Sequence, residues 1–111
     1  MRYLMIAQTS PVEGRDAEFN AWYDGEHLKD VLAIPGFVAA ERFEVASGEA
    51  PFKYYAFYEV EADTVGEIWA AAGRMRDSMA TTEALGESGA FILSPLGDRV
   101  TGADLADAPA G

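Results

Sequence analysis

Apolar residues along this chain keep changing their spacing, and each change marks an element. The stretch "RYLMIAQT" (2–9) is a short apolar run that stops at a Ser-Pro pair, the pattern of a first strand. From Gly14 to His27 the spacing turns helical: Phe19, Trp22, Tyr23 and Glu26 repeat at i, i+3, i+4 and i+7. "AIPGF" (33–37) ends that rhythm, because proline restricts the residue before it and glycine permits a turn. "FVAAERFEV" (37–45) reads as a second strand, "SGEAP" (47–51) as a loop, and "KYYAFYEV" (53–60) as a third strand rich in aromatics. A second helix is predicted from Thr64, where "TVGE" has the form of a capping box in which Thr64 and Glu67 satisfy each other's backbone donors. Its apolar stripe runs through Val65, Ile68, Trp69, Ala72, Met75 and Met79, and "TTEALGES" (81–88) reads as a further turn of helix. "AFILSPLGDRV" (90–100) is the last predicted strand, with Pro95 favouring an edge or a bulge. "TGADLADAPAG" (101–111) is small and acidic, the composition of a loose tail.

The order βαββαβ predicts one ferredoxin-like α+β domain over residues 1–100, followed by the tail: a four-stranded antiparallel sheet with both helices on one face. The sheet carries a further signal. In the third strand Tyr54, Ala56, Tyr58 and Val60 share one face while Tyr55 and Phe57 share the other. In the first, Tyr3, Met5 and Ala7 oppose Leu4 and Ile6. A sheet with one wet face should alternate apolar and polar residues. This one is apolar on both, and two helices cover only one. The bare face predicts a homodimer packed sheet against sheet, although the pattern alone does not say which of the two tyrosine sets faces the partner.

Composition narrows the partners. The 111 residues include 19 acidic and 8 basic side chains, for a formal charge of −11. That field repels polyanions, and the basic residues are scattered, so neither nucleic acid nor an anionic membrane surface is an expected partner. No apolar run approaches the ~20 residues of a membrane helix, and the start reads as a strand rather than a signal peptide; the expectation is a soluble cytoplasmic protein. There is no cysteine, which excludes disulfides, thiolate metal sites and cysteine nucleophiles.

The remaining chemistry gathers around the chain's single histidine, in "WYDGEHLKDVLAIPGF" (22–37). At 100° per residue, Trp22, Tyr23 and Glu26 fall within about 60° of Phe19, and His27 about 80° away, at the margin of the buried stripe. Asp24 points outward to solvent. Glu26 lies on the apolar face if the helix survives Gly25, and there it needs a partner or takes a raised pKa. A histidine at a pocket edge can take and give a proton near neutral pH. Each residue also has a plain structural reading. His27 at a helix C-terminus serves the dipole and caps carbonyls. Trp22, Tyr23 and Trp69 are core residues, Glu26 reaches water, and Arg42 pairs with Glu26 or Glu44. The tyrosines of the third strand line either a pocket or the dimer interface.

The segment "EFNAWYDGEHLKDVLAIPGFVAAERFEV" (18–45) resembles the motif of small EthD-like proteins of the dimeric α+β-barrel type, in which a Trp-Tyr-x-x-x-His segment ends the first helix before a Pro-Gly-Phe turn. The resemblance implies a homodimer whose two sheets form a barrel, with an apolar cleft between sheet and helices in each subunit. It makes His27, Trp22 and Tyr23 the natural pocket residues. The wider superfamily includes lactone isomerases, polyketide cyclases, quinone-forming monooxygenases and haem-degrading enzymes. The expected function is a cofactor-free isomerase, cyclase or lyase acting by proton transfer on a small aromatic or lactone-like molecule. His27 is its acid/base, Glu26 or Tyr23 orients it or shares its proton, and Trp22, Phe37, Tyr55 and Trp69 wall the pocket. Arg42 holds a carboxylate or enolate oxygen. The alternative is a non-catalytic dimer binding a hydrophobic metabolite, with EthD-like monooxygenase or haem-related chemistry behind it: the resemblance leads one to expect an axial histidine on the second helix, and 64–79 has none. One histidine with scattered carboxylates is not a metal ligand set, so no metal is expected.

Overall fold

Four antiparallel strands form one sheet in the order β2-β3-β1-β4, with β1 Arg2–Pro11, β2 Phe37–Glu44, β3 Tyr54–Glu61 and β4 Leu85–Leu93. This is a computed structural model, and it describes residues 1–106. The two central strands, β3 and β1, are the two in which the sequence pattern showed apolar residues on both faces. Met5 of β1 lies between Tyr58 of β3 and Ile92 of β4.

A helical run over 16–32 crosses one face as α1 (Asp16–Trp22), a π-helical turn (Tyr23–His27) and α2 (Leu28–Leu32). The second helix, α3 (Val65–Met75), lies on the same face and passes into a 3-10 turn at Arg76–Ser78. Phe19, Tyr23, Val31, Ile68 and Ala71 from these helices, with Ile34 from the turn after α2, pack in one cluster with Tyr3, Met5, Tyr54, Ala56, Tyr58 and Val60 from the sheet. The face that carries Tyr54 and Tyr58 is therefore the helix-covered one. Tyr55 and Phe57 stand on the open face, with Leu4 and Ile6 of β1, Phe43 of β2, and Phe91 and Leu93 of β4. No helix among the described residues is long and apolar enough to cross a membrane.

The predicted cap on α3 is present. Thr64 Oγ1 accepts from the Glu67 amide at 3.2 Å, and Glu67 reaches back one residue further than expected, to accept from the Asp63 amide at 3.1 Å. Gly36 in the Pro-Gly turn has φ +93°, and a Cβ there would lie 2.6 Å from the Glu61 carbonyl oxygen, so only glycine lets β2 begin against β3.

Three expectations are corrected. The first helix does not end at His27: the chain widens into the π turn and resumes as α2, so His27 is mid-helix and caps nothing. Residues 85–88 are strand, not helix, because β4 pairs with β1 from Pro11↔Leu85 to Leu4↔Leu93 and ends before Ser94-Pro95. The tail also has local structure, since α4 (Gly102–Ala106) is capped by Thr101 and Asp104, each side chain accepting from the other's amide. Residues 107–111 of the expected loose tail lie outside the described residues.

Candidate active site

Between the sheet and the helices lies a cavity of about 410 Å³. Its walls are mainly apolar side chains, among them Met5, Trp22, Val31, Phe37 and Trp69. His27 stands at its wall, held from two sides. Its ring stacks on Trp22 with centroids 4.5 Å apart and planes at 23°, and meets the edge of Tyr23 at 4.7 Å and 78°.

The π turn explains this placement. A wider turn takes more residues per revolution, so four steps from Tyr23 return close to the same side. His27 thus joins the row Phe19, Tyr23, Val31 that faces the sheet, whereas Glu26, three steps on, falls short and faces solvent. A regular α-helix would have placed Glu26 nearer the cavity than His27, which is what the wheel of 100° steps predicted.

His27 Nδ1 is sealed from solvent and has no hydrogen-bond partner, and the same holds for the neighbouring Trp22 Nε1. Burial holds the imidazole pKa below its ordinary 6.5; nearby Asp30 pulls it up and Arg42 pushes it down further. A ring whose pKa lies below 6.5 is neutral at pH 7, and with no partner on Nδ1 among the described residues nothing fixes which of its two nitrogens carries the hydrogen.

Between the π turn and β3, the hydroxyls of Tyr23 and Tyr58 share a 2.6 Å hydrogen bond. Burial raises the pKa of both, and each stays protonated across the physiological range. A pair of hydroxyls has two hydrogens and spends one between them, which leaves one O–H to donate elsewhere.

Five of the expected site residues meet at this cavity: His27, Tyr23, Trp22, Phe37 and Trp69. Three do not. Glu26 is exposed, for the reason given. Tyr55 lies on the open face of the sheet, because the strand's two-residue period places it opposite Tyr54 and Tyr58. Arg42 is committed elsewhere: its guanidinium donates to Asp24 and Asn20, each at 2.8 Å, and lies 4.3 Å from the Tyr23 ring centroid, tying β2 to the first helix. Its expected partners Glu26 and Glu44 are not the ones it takes, and Asp24, though exposed, is ion-paired. Sequence reasoning left Tyr58 between pocket and interface and passed over Arg76. A signal existed for Arg76, since Trp69, Ala72, Arg76 and Met79 are spaced i, i+3, i+7, i+10 and all border the cavity. The described residues contain no group of three or more His, Cys, Asp or Glu side chains placed to hold a metal ion.

No protein-family model matches the chain, and no curated protein matches it. Solved structures do. An ethyl tert-butyl ether D (EthD) family protein from Bacillus halodurans is 18% identical with a TM-score of 0.58, over 86% of this chain and 100% of that one. A NIPSNAP domain protein from Burkholderia xenovorans is 15% identical with a TM-score of 0.60, over 91% and 100%. The haem-degrader MhuD from Mycobacterium tuberculosis, with two haems in its active site, is 15% identical with a TM-score of 0.63, over 88% and 99%. At these identities the likeness is one of fold. The chain has the ferredoxin-like α+β fold of these proteins, as the resemblance of residues 18–45 to EthD-like proteins implied.

Proposed function

We propose that this protein is a cofactor-free enzyme that moves a proton on a small aromatic or lactone-like molecule, as an isomerase, cyclase or lyase does, and that it works in the cytoplasm as a homodimer. The observation that carries the reading is a neutral histidine, half enclosed by aromatic rings, at the wall of an apolar cavity of about 410 Å³. With its hydrogen on Nδ1, the neutral imidazole accepts a proton at Nε2 from a carbon beside a carbonyl group and returns it at another position, leaving the enzyme unchanged. The O–H left free by the Tyr23–Tyr58 pair donates to the carbonyl oxygen as it gains charge, the role first expected of Arg42. Trp22, Phe37 and Trp69 exclude water and hold the ring.

Haem suits this cavity poorly. The histidine that the resemblance leads one to expect on α3 is absent, and the chain's one histidine, His27, is stacked on Trp22. No step is assigned to it.

One observation favours the second reading, a dimeric binding protein for the same class of molecule. No carboxylate or carbonyl orients the imidazole, as proton-transferring histidines usually require, since Glu26 faces solvent and Asp30 accepts from the Ala80 amide. In that case His27 only hydrogen-bonds the ligand.

Two variants separate the readings once mass spectrometry of co-purifying molecules, or a thermal-shift screen of aromatic acids and lactones, supplies a ligand. For an enzyme, His27→Ala and His27→Gln both lose turnover by roughly 10²–10⁴-fold, because the amide cannot cycle a proton. For a binding protein, His27→Gln keeps the ligand affinity and no turnover exists to lose.

A further inference from the structure

Arg76 is the one Lys or Arg side chain at the cavity among the described residues. It starts the 3-10 turn after α3, and this turn is fixed rather than loose. Ser78 Oγ donates to the Met75 carbonyl at 2.9 Å, and the Ala80 amide donates to Asp30 Oδ2 of α2 at 3.0 Å. Its guanidinium has no hydrogen-bond or ion-pair partner among the described residues. The side-chain ion pairs among the described residues engage Arg2, Arg15, Arg42 and Lys53, and the acidic group of the facing helix, Asp30, is occupied by the Ala80 amide. In a chain of charge −11, a guanidinium that is left without a carboxylate and borders an otherwise apolar cavity stands out.

We propose that Arg76 is the anchor for a carboxylate on the bound molecule, so that the natural ligand is an aryl or alicyclic carboxylic acid whose ring enters the cavity while its acid group stays at Arg76. This deepens the reading of the cavity as a small-molecule site and rests on it. The acid group needs a cation because the chain's net charge repels anions. That repulsion is screened beyond about 8 Å at physiological salt, so one guanidinium in contact outweighs the distant acidic residues. Its planar fork matches a carboxylate bidentately, which a neutral substrate does not use. His27 and the tyrosine pair are uncharged and do not compete for the anion. Arg42, which the sequence suggested for this task, has already spent its fork on Asp24 and Asn20.

The test is a matched pair of probes, 1-naphthoate and 1-naphthamide, titrated calorimetrically into the wild-type chain and into Arg76→Gln, Arg76→Lys and Arg74→Gln. Arg76 and Arg74 are both exposed, so all three variants should fold. The wild type should bind the acid more tightly than the amide. Arg76→Gln should weaken the acid by about 10–100-fold, the range of a charged hydrogen-bonded pair, and leave the amide unchanged. Arg76→Lys should recover part of the loss, and Arg74→Gln, which changes the net charge equally from outside the cavity, should lose at most a few-fold. Equal binding of acid and amide by the wild type overturns the carboxylate anchor while the cavity reading stands. The anchor also falls if Arg74→Gln weakens the acid as much as Arg76→Gln does. Binding of neither probe at millimolar concentration overturns both.

Discussion

His27 stays neutral because three of its sides are closed by protein. Trp22 and Tyr23 cover its ring, Nδ1 has no hydrogen-bond partner among the described residues, and the charge of Asp30 only partly offsets the cost of burial. That arrangement makes stability depend on pH in a definite direction. Above its ordinary value of 6.5 the ring is neutral in both folded and unfolded chains and contributes no slope. As pH falls below 6.5 the unfolded chain takes up a proton that the folded chain resists, so the folded state loses stability until the lowered folded pKa is passed. The wild type should therefore lose stability between pH 6.5 and 5 faster than His27→Gln, which has nothing to titrate there. Urea denaturation of both chains across this range measures the difference, and parallel curves would show that the ring titrates like a solvated histidine. The carboxylates contribute equally to both chains and cancel in the comparison.

At the scale of elements, the least conspicuous stretch of the sequence makes the tightest contact. β4 enters beside β1 at Gly86, where a Cβ would stand 2.5 Å from the Ser10 carbonyl oxygen, next to the register shift between Thr9 and Pro11. These are backbone atoms in a paired strand and have no easy way to yield. Gly86→Ala should cost about 1–3 kcal/mol, seen as a melting temperature several degrees lower; an unchanged melting point would mean that the bulge relaxes freely. The same stretch shows why some of the fold was hidden in the sequence. Strands β1, β2 and β3 and the start of α3 were legible because their periods of 2 and 3.6 are written in large apolar residues and in the Thr64 cap. Residues 85–88 carry small and polar side chains, so their strand is specified by pairing with β1, a partner some eighty positions earlier. The site divides in the same way. Trp22, Tyr23, Phe37 and Trp69 were legible as apolar residues on regular faces. Glu26 was not, because the π turn changes the angle per residue just where the prediction assumed 100°, which turns Glu26 to solvent and brings His27 from the edge of the stripe to the cavity wall. Tyr55 and Arg42 needed knowledge of which sheet face the helices cover and of which acid lies nearest, and neither is a property of local spacing.

For the molecule as a whole, the open face of the sheet raises the largest energetic question. Phe43 and Phe57 touch there with ring centroids 5.0 Å apart, and Phe43, Phe57, Phe91 and Leu93 are each between 36% and 47% exposed. Fully burying one such side chain is worth about 1.5–3 kcal/mol, so an isolated subunit forgoes a substantial fraction of a small domain's whole stability. The matching surface of a second copy would recover it: a two-fold axis would set the same patch against itself and could bury the roughly 800 Å² per partner of an ordinary stable interface. The helix-covered face has no such surplus, since Tyr54, Ala56, Tyr58 and Val60 are already packed under the helices. Phe57→Lys places a charge at the centre of the open face without touching the cavity or the helices. The wild type should sediment as a dimer at micromolar concentration and Phe57→Lys as a folded monomer. Removing residues 103–111 should change neither state nor melting point, because among the described residues the hydrogen bonds of α4 reach no further than Thr101. A monomeric wild type, or a Phe57→Lys chain that still dimerises, would mean that the open face is not what joins two copies.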